Sequence, residues 1–181
     1  MFKGKILIMT KKSVEEVLQE LGFELPQVPA PAGEYIPAKA IGDLVYVSGQ
    51  GPIRNGEPVY VGRVGAEVSL EDGYKAAQLS VLNCLAALKD VIGSLDAVEE
   101  IVQVRGFVSS APNFYDQPAV INGASELLVK LFGERGRHAR AAIGTSVLPR
   151  NIPVEVELVV KIRHTPKAKG VVKCGEDWEK A

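Results

Sequence analysis

The sequence predicts an α+β domain with a layer of helices on one sheet, and three features point there. Strand-like and helical runs follow one another unevenly, in the order β-β-(β)-α-β-α-β-β, and not as a regular alternation. Tyr74, Ala77, Val81, Leu85, Leu88 and Ile92 recur at spacings of three and four, which makes one buried stripe on a long helix. Val154, Val156, Leu158 and Val160 alternate with Glu155, Glu157 and Lys161, the pattern of a strand with one dry and one wet face.

Each element has its own justification. Ser13 to Leu21 reads as a short amphipathic helix, with Ser13 as N-cap, Glu16 three residues on, and Val14, Val17, Leu18 and Leu21 on its apolar face. Pro26, Pro29 and Pro31 then forbid regular structure and make an extended connector. Tyr35 to Ala40 is a strand that Pro37 assigns to an edge, and Gly42-Asp43 turns the chain into the buried strand Leu44 to Ser48. That strand breaks at Gly49-Gln50-Gly51-Pro52, where backbone amides can be left exposed. Asn55-Gly56 is a hairpin signal, with Val59 to Val64 expected as the return strand. Ser69 caps the long helix, Asp72 is expected to complete a capping box, and Gly93 stops it. Ile101 to Val108 reads as a strand. A second long helix runs from about Gln117 to Phe132, with Ile121, Ala124, Leu128 and Leu131 inward. Arg140 to Ile162 is expected to form a hairpin about Leu148-Pro149-Arg150-Asn151. The chain thus divides into an N-terminal helix and Pro-rich connector (1–34), a main domain (35–164) and a polar C-terminal tail (165–181).

Composition excludes several classes. The 181 residues suit one domain that buries about 70% of its unfolded surface. A net charge of −1 supplies no field for nucleic acid or an anionic membrane. The apolar run Ile6 to Met9 is too short for a signal sequence or a spanning helix, so a cytoplasmic location is expected. Cys84 falls on the helical stripe and Cys174 in the tail, which fits a core thiol and a tail residue and not a disulfide framework. His138 and His164 lie 26 residues apart with no partner at ligand spacing, so both read as surface histidines and no metal is expected. Phosphate-binding, dinucleotide-binding and serine-elbow motifs are absent from the sequence.

Two segments remain. Arg140 stands beside the small residues Ala141, Ala142 and Gly144, which leave room for a planar acid against a guanidinium. Taken alone, Arg140 fits a solvated strand-end arginine as well, and Glu155 with Glu157 fits the polar face of an edge strand.

Taken together, the segments carry a resemblance. Glu34-Tyr35 followed by Leu44-Val45-Tyr46-Val47-Ser48-Gly49-Gln50-Gly51-Pro52 resembles the N-terminal signature of the Rid family. These are the reactive intermediate deaminases, also called YjgF or L-PSP endoribonucleases. Ala139-Arg140-Ala141-Ala142, then Leu148-Pro149, then Val154-Glu155-Val156-Glu157, is similar to that family's C-terminal signature. The resemblance runs in order from Tyr35 to Ile162, with the two helices where the family has them.

The resemblance implies a chorismate-mutase-like fold, a mixed sheet with two helices on one face, assembled as a homotrimer with sites between subunits. It also implies a hydrolase similar to the 2-iminobutanoate/2-iminopropanoate deaminases, in which an enamine or imine becomes a 2-oxo acid and ammonia. Arg140 matches the arginine that binds the substrate carboxylate, and Glu155 the glutamate that positions a water. Tyr35, Ser48 and Gly49 match cleft-lining residues, and Asn122 matches a helix asparagine of the same cleft. No cofactor or metal is implied. Ala142 stands where many members have a cysteine, and the additions at both ends resemble a larger branch. A small-carboxylate-binding or regulatory trimer without turnover is therefore the alternative. Ribonuclease activity fits the net charge of −1 poorly.

Spacing constrains the site. In the expected hairpin, Val147 pairs with Val154 and Glu155 lies opposite Ser146, six residues from Arg140. At about 3.4 Å per residue the two groups are ~20 Å apart, too far to share one small molecule within a chain. Either a bulge alters the register, or the two meet across a subunit interface.

Overall fold

A computed structural model of the chain describes residues 12–28 and 33–163. The expected tail 165–181, His164, Cys174 and part of the connector lie outside the described residues.

A five-stranded mixed sheet carries the fold, built from β1 (Ala38–Ile41), β2 (Leu44–Gln50), β5 (Val98–Ser109), β6 (Ala139–Thr145) and β7 (Val154–Ile162). The strand order is β1-β2-β7-β5-β6, with every pair antiparallel except β5 and β6. Two long helices, α2 (Leu70–Ile92) and α3 (Gln117–Phe132), pack against each other and cover one face of this sheet. The short helix α1 (Val14–Glu20) docks Val14 and Leu18 at one end of the same core.

The apolar patterns act as they should. Val154, Val156, Leu158, Val160 and Ile162 are buried beneath the helices, while the residues between them are only partly covered. Ala77, Val81, Leu85, Leu88 and Ile92 of α2 are buried, as are Ile121, Ala124, Leu128 and Leu131 of α3. Close approach at two glycines sets the spacing of α2 from α3 and of α3 from the sheet. A Cβ on Gly123 of α3 would come within 2.1 Å of the Tyr74 carbonyl oxygen on α2. One on Gly106 of β5 would come within 2.4 Å of Ile121 on α3. Only glycine permits either contact.

Helix starts follow the capping residues. Ser13 accepts from the Glu16 N–H and Glu16 bonds back to the Ser13 N–H, a full capping box. At α2 the box is half made: Ser69 Oγ accepts from the Asp72 N–H and donates its hydroxyl to the Asp72 carboxylate at 3.0 Å. Aspartate is one methylene shorter than glutamate and turns to the hydroxyl instead of the N-cap amide.

Two expectations about how strands connect are corrected. Val59 to Val64 is not a strand: the Asn55-Gly56 turn, both residues at positive φ, joins only β3 (Ile53–Arg54) to β4 (Glu57–Pro58). Val64 makes isolated bridges to Val68 and Ser110. Asn-Gly encodes the turn but not how far the arms extend, and two-stranded ribbons have little apolar face to extend on.

The larger correction is that Arg140 to Ile162 is not a hairpin. β5 lies between β6 and β7, and β6 pairs with β5 in parallel. β5, α3 and β6 thus form a strand–helix–strand crossover, which returns the second strand parallel to the first. The segment from Ser146 to Pro153 then crosses the end of β5 and does not fold back, with Arg150 and Asn151 at positive φ. Local turn signals cannot tell a hairpin from such a crossing.

Candidate functional site

The expected site residues fall into two groups on opposite faces of the sheet. The first is organised by a bulge. The register of β2 against β7 slips between Val47 and Gln50, so Ser48 and Gly49 protrude from the ladder. Ser48 is fixed there by its N–H to the Pro37 carbonyl at 2.9 Å and its hydroxyl to the Ile36 carbonyl at 2.8 Å. Those bonds tie the Tyr35 segment to the bulge. Gly49 in turn leaves space for Glu155 of β7: a Cβ there would lie 2.3 Å from Glu155 Oε1. Glu155 faces away from the helices, since its neighbours Val154 and Val156 are buried beneath them.

Burial raises the Glu155 carboxyl above its usual range, and the negative charge of Glu157 two residues on adds to the effect. Glu157 itself is in an ion pair with Arg105 of β5 at 2.6 Å. Tyr35 and Ser48, with Lys39, Tyr46, Arg105 and Glu157, line a cleft of about 450 Å³ on this helix-free face. Glu155 and Gly49 lie outside that lining.

Arg140 belongs to the second group, at the β6 edge of the sheet. In register it stands beside Val104 of β5, which is in turn opposite Leu158 of β7, and both are buried beneath the helices. Its side chain therefore points to the helix layer. Nη1 donates to Asn122 Oδ1 at 2.8 Å and to Ser125 Oγ at 3.1 Å, both on α3. Among the described residues no bond uses its Nε or Nη2, which leaves a two-pronged donor for a carboxylate.

Arg140 and Glu155 are not brought together within one chain. Their strands are two places apart in the sheet and their positions three residues out of register. At about 4.8 Å per strand and 3.4 Å per residue this separates the two backbones by ~14 Å, and the side chains leave on opposite faces. The ~20 Å of the expected hairpin was thus the wrong geometry, but the separation it implied holds for a different reason.

Two residues of the Arg140 group escaped the sequence reading. Ser125 follows Asn122 by one helical turn and so shares its face of α3. His138 precedes Arg140 by two residues and so shares its side of the strand. His138 is no surface histidine: it is partly buried, its Nδ1 lies 2.6 Å from the Gly136 carbonyl, and its Nε2 lies 3.0 Å from Ser125 Oγ. Burial lowers its pKa, and the nearby Arg140 charge acts the same way. Cys84 is a buried thiol, donating to the Val156 carbonyl at 3.2 Å, with its pKa pushed up by burial. Among the described residues no group of three or more His, Cys, Asp or Glu side chains could hold a metal ion, and no helix is long and apolar enough to cross a membrane.

Comparison with known proteins gives this geometry a setting. Residues 15–162 match the model of the YjgF/chorismate-mutase-like family of endoribonuclease-named proteins. A curated relative, protein TCP17 of Trypanosoma cruzi, is 38% identical over 148 residues, covering 81% of this chain and 92% of that protein. A second, a 2-iminobutanoate/2-iminopropanoate deaminase of Dermatophagoides farinae, is 31% identical over 139 residues, covering 76% of this chain and 92% of that protein. Among solved structures, Atu1372 of Agrobacterium tumefaciens, described as having unknown function, superposes with a TM-score of 0.78 at 43% identity, covering 83% of this chain and 92% of that one.

Proposed function

The chain belongs to the YjgF/chorismate-mutase-like family, and on that premise we propose that it hydrolyses reactive enamine or imine intermediates to 2-oxo acids and ammonia, in clefts between the subunits of a homotrimer. The observation that carries this is the Arg140 fork, anchored through Nη1 on α3 with Nε and Nη2 turned loose for a carboxylate. The 31%-identical mite deaminase supports the reaction class.

In the proposed reaction Arg140 binds the carboxylate of the imino acid and fixes the plane of its C=N bond. Water adds to the imine carbon while the nitrogen takes up a proton. The tetrahedral carbinolamine then breaks its C–N bond, so that ammonia leaves and the carbon keeps the water's oxygen as a carbonyl. Glu155 accepts the proton of the attacking water and returns one to the departing nitrogen. A carboxyl whose pKa is raised by burial suits that exchange, because it holds and releases a proton closer to neutral pH. The acceleration asked of the site is modest, since imines hydrolyse readily; positioning and one acid–base group suffice.

The split across two sheet faces supports a shared site. Arg140 of one subunit would meet Glu155, Gly49, Ser48 and Tyr35 of its neighbour, a head-to-tail contact that a three-fold ring closes. Release of 2-oxo acid from imines generated in situ by an amino-acid oxidase tests this across several amino acids. The wild type should accelerate release, and Arg140→Ala and Glu155→Gln should each abolish the effect. Mixed trimers refolded from Arg140→Ala and Glu155→Ala chains should regain activity at roughly a quarter of their sites, since a heterologous interface brings unlike faces together. No regain would place both groups in one chain. Carboxylate-dependent stabilisation without turnover would make the protein a small-carboxylate-binding trimer instead.

A further inference from the structure

The bonds behind Arg140 have a direction. His138 Nδ1 lies 2.6 Å from the Gly136 carbonyl, which can only accept, so Nδ1 carries the hydrogen. A neutral ring with its hydrogen on Nδ1 presents a bare lone pair at Nε2. The Ser125 hydroxyl, 3.0 Å away, must then donate to it. With its hydrogen committed, the Ser125 oxygen turns lone pairs outward, and Arg140 Nη1 donates into one of them at 3.1 Å. Asn122 Oδ1 accepts from the same nitrogen at 2.8 Å.

We propose that Ser125 and His138 are positioning residues, which orient the Arg140 guanidinium so that Nε and Nη2 are presented together to a substrate carboxylate. This rests on Arg140 being the carboxylate-binding group. Asn122 alone holds Nη1 at a single point and leaves the fork free to swing about it. A second acceptor on the same nitrogen, itself held by the imidazole, removes that freedom.

The alternative use of a serine bonded to a histidine is as a nucleophile, and the geometry argues against it. Ser125 lies in the middle of α3, where backbone N–H groups are committed to the helix and cannot stabilise an oxyanion. Its oxygen is also engaged by Arg140. The imidazole is suited to staying neutral, because burial and the Arg140 charge both oppose its protonation. Neighbouring carboxylates are turned to other partners: Glu126 of α3 to the Tyr74 hydroxyl at 2.8 Å, and Glu134 to Arg137 at 3.0 Å. From β5, the strand beside β6, the uncharged Gln103 stands opposite Ala139.

Steady-state kinetics of imine hydrolysis, with the oxidase-generated imino acid as substrate, separate positioning from support of the fold. Ser125→Ala and His138→Leu should raise KM about tenfold, the loss of one oriented hydrogen bond, while kcat stays near the wild-type value. His138→Gln, whose amide oxygen can accept from Ser125 in place of Nε2, should restore KM. Unchanged KM in Ser125→Ala and His138→Leu, with Arg140→Ala inactive, would overturn the positioning role and leave the deaminase assignment standing. An active Arg140→Ala would overturn both.

A second measurement needs no substrate. Nitrogen-15 NMR of the wild type should show His138 bare at Nε2, and separate signals for the two Arg140 Nη groups because rotation of the guanidinium is hindered. Ser125→Ala should merge those signals by faster rotation. A protonated Nε2, or equal rotation in both proteins, would refute the arrangement.

Discussion

Gly49→Ala is the sharpest probe of how the sheet holds its acid–base group. The added methyl would sit 2.3 Å from Glu155 Oε1 and 2.8 Å from its Cδ, where ordinary contact begins at 3.4 Å. The gap must open by about 1 Å, a displacement that can cost ~100-fold in turnover when the moved group acts on the reacting atoms. The neighbours are side-chain atoms of a carboxylate with a partly open outer face, so the clash relaxes by moving Glu155 and not by distorting the sheet. Gly49 is also not among the positive-φ glycines, so alanine fits its backbone. Stability should fall by only about 1 kcal/mol, the low end for an overpacked site, which for a domain of this size lowers Tm by roughly 2–4 °C. The assay pairs 2-oxo acid release with a thermal melt. A variant with wild-type turnover would show that Glu155 need not stand against Gly49 for the chemistry. A melt lowered by much more than this would show instead that the bulge is part of the fold's support.

Three further outcomes follow from packing and charge. Gly123→Ala drives a methyl against the Tyr74 backbone carbonyl at 2.1 Å, which cannot swing aside. Urea unfolding should show a loss of about 1–3 kcal/mol despite alanine's better helix propensity, and unchanged stability would mean α2 and α3 part freely. Glu155 has a raised pKa in the fold, so its stability contribution is fully present below the ordinary 4.5 and is lost as pH rises through the raised value. Glu155→Gln should remove that decline in a pH series of urea midpoints, and parallel curves would disprove it. His138 has the opposite sign: its lowered pKa contributes stability present above 6.5 and lost as pH falls through the folded value. His138→Gln should flatten that acid-side loss, measured in the same way.

What the sequence determined by itself was local. The stripe from Tyr74 to Ile92, the alternation from Val154 to Ile162 and the Ser13 and Ser69 caps depend on neighbours within a few residues, and each formed where expected except at Tyr74, which is only half-buried and donates its hydroxyl to Glu126. The quoted motifs likewise sufficed for the family, because Ser48-Gly49 and Arg140 belong to separate, ordered signatures. Strand neighbours are another matter. The turn chemistry of Leu148 to Asn151 fits a fold-back and a crossing alike, and only the docking of α3 over β5 decides for β6 beside β5. The same tertiary choice sends Arg140 to the helix side, opposite the face that the alternation of β7 already gave to Glu155. It also gathers Asn122, Ser125 and His138 behind the guanidinium, although 18 residues separate Asn122 from Arg140. Periodicity assigns a face to each residue within its own element. Which faces meet is fixed by how the elements pack, and no local pattern carries that information.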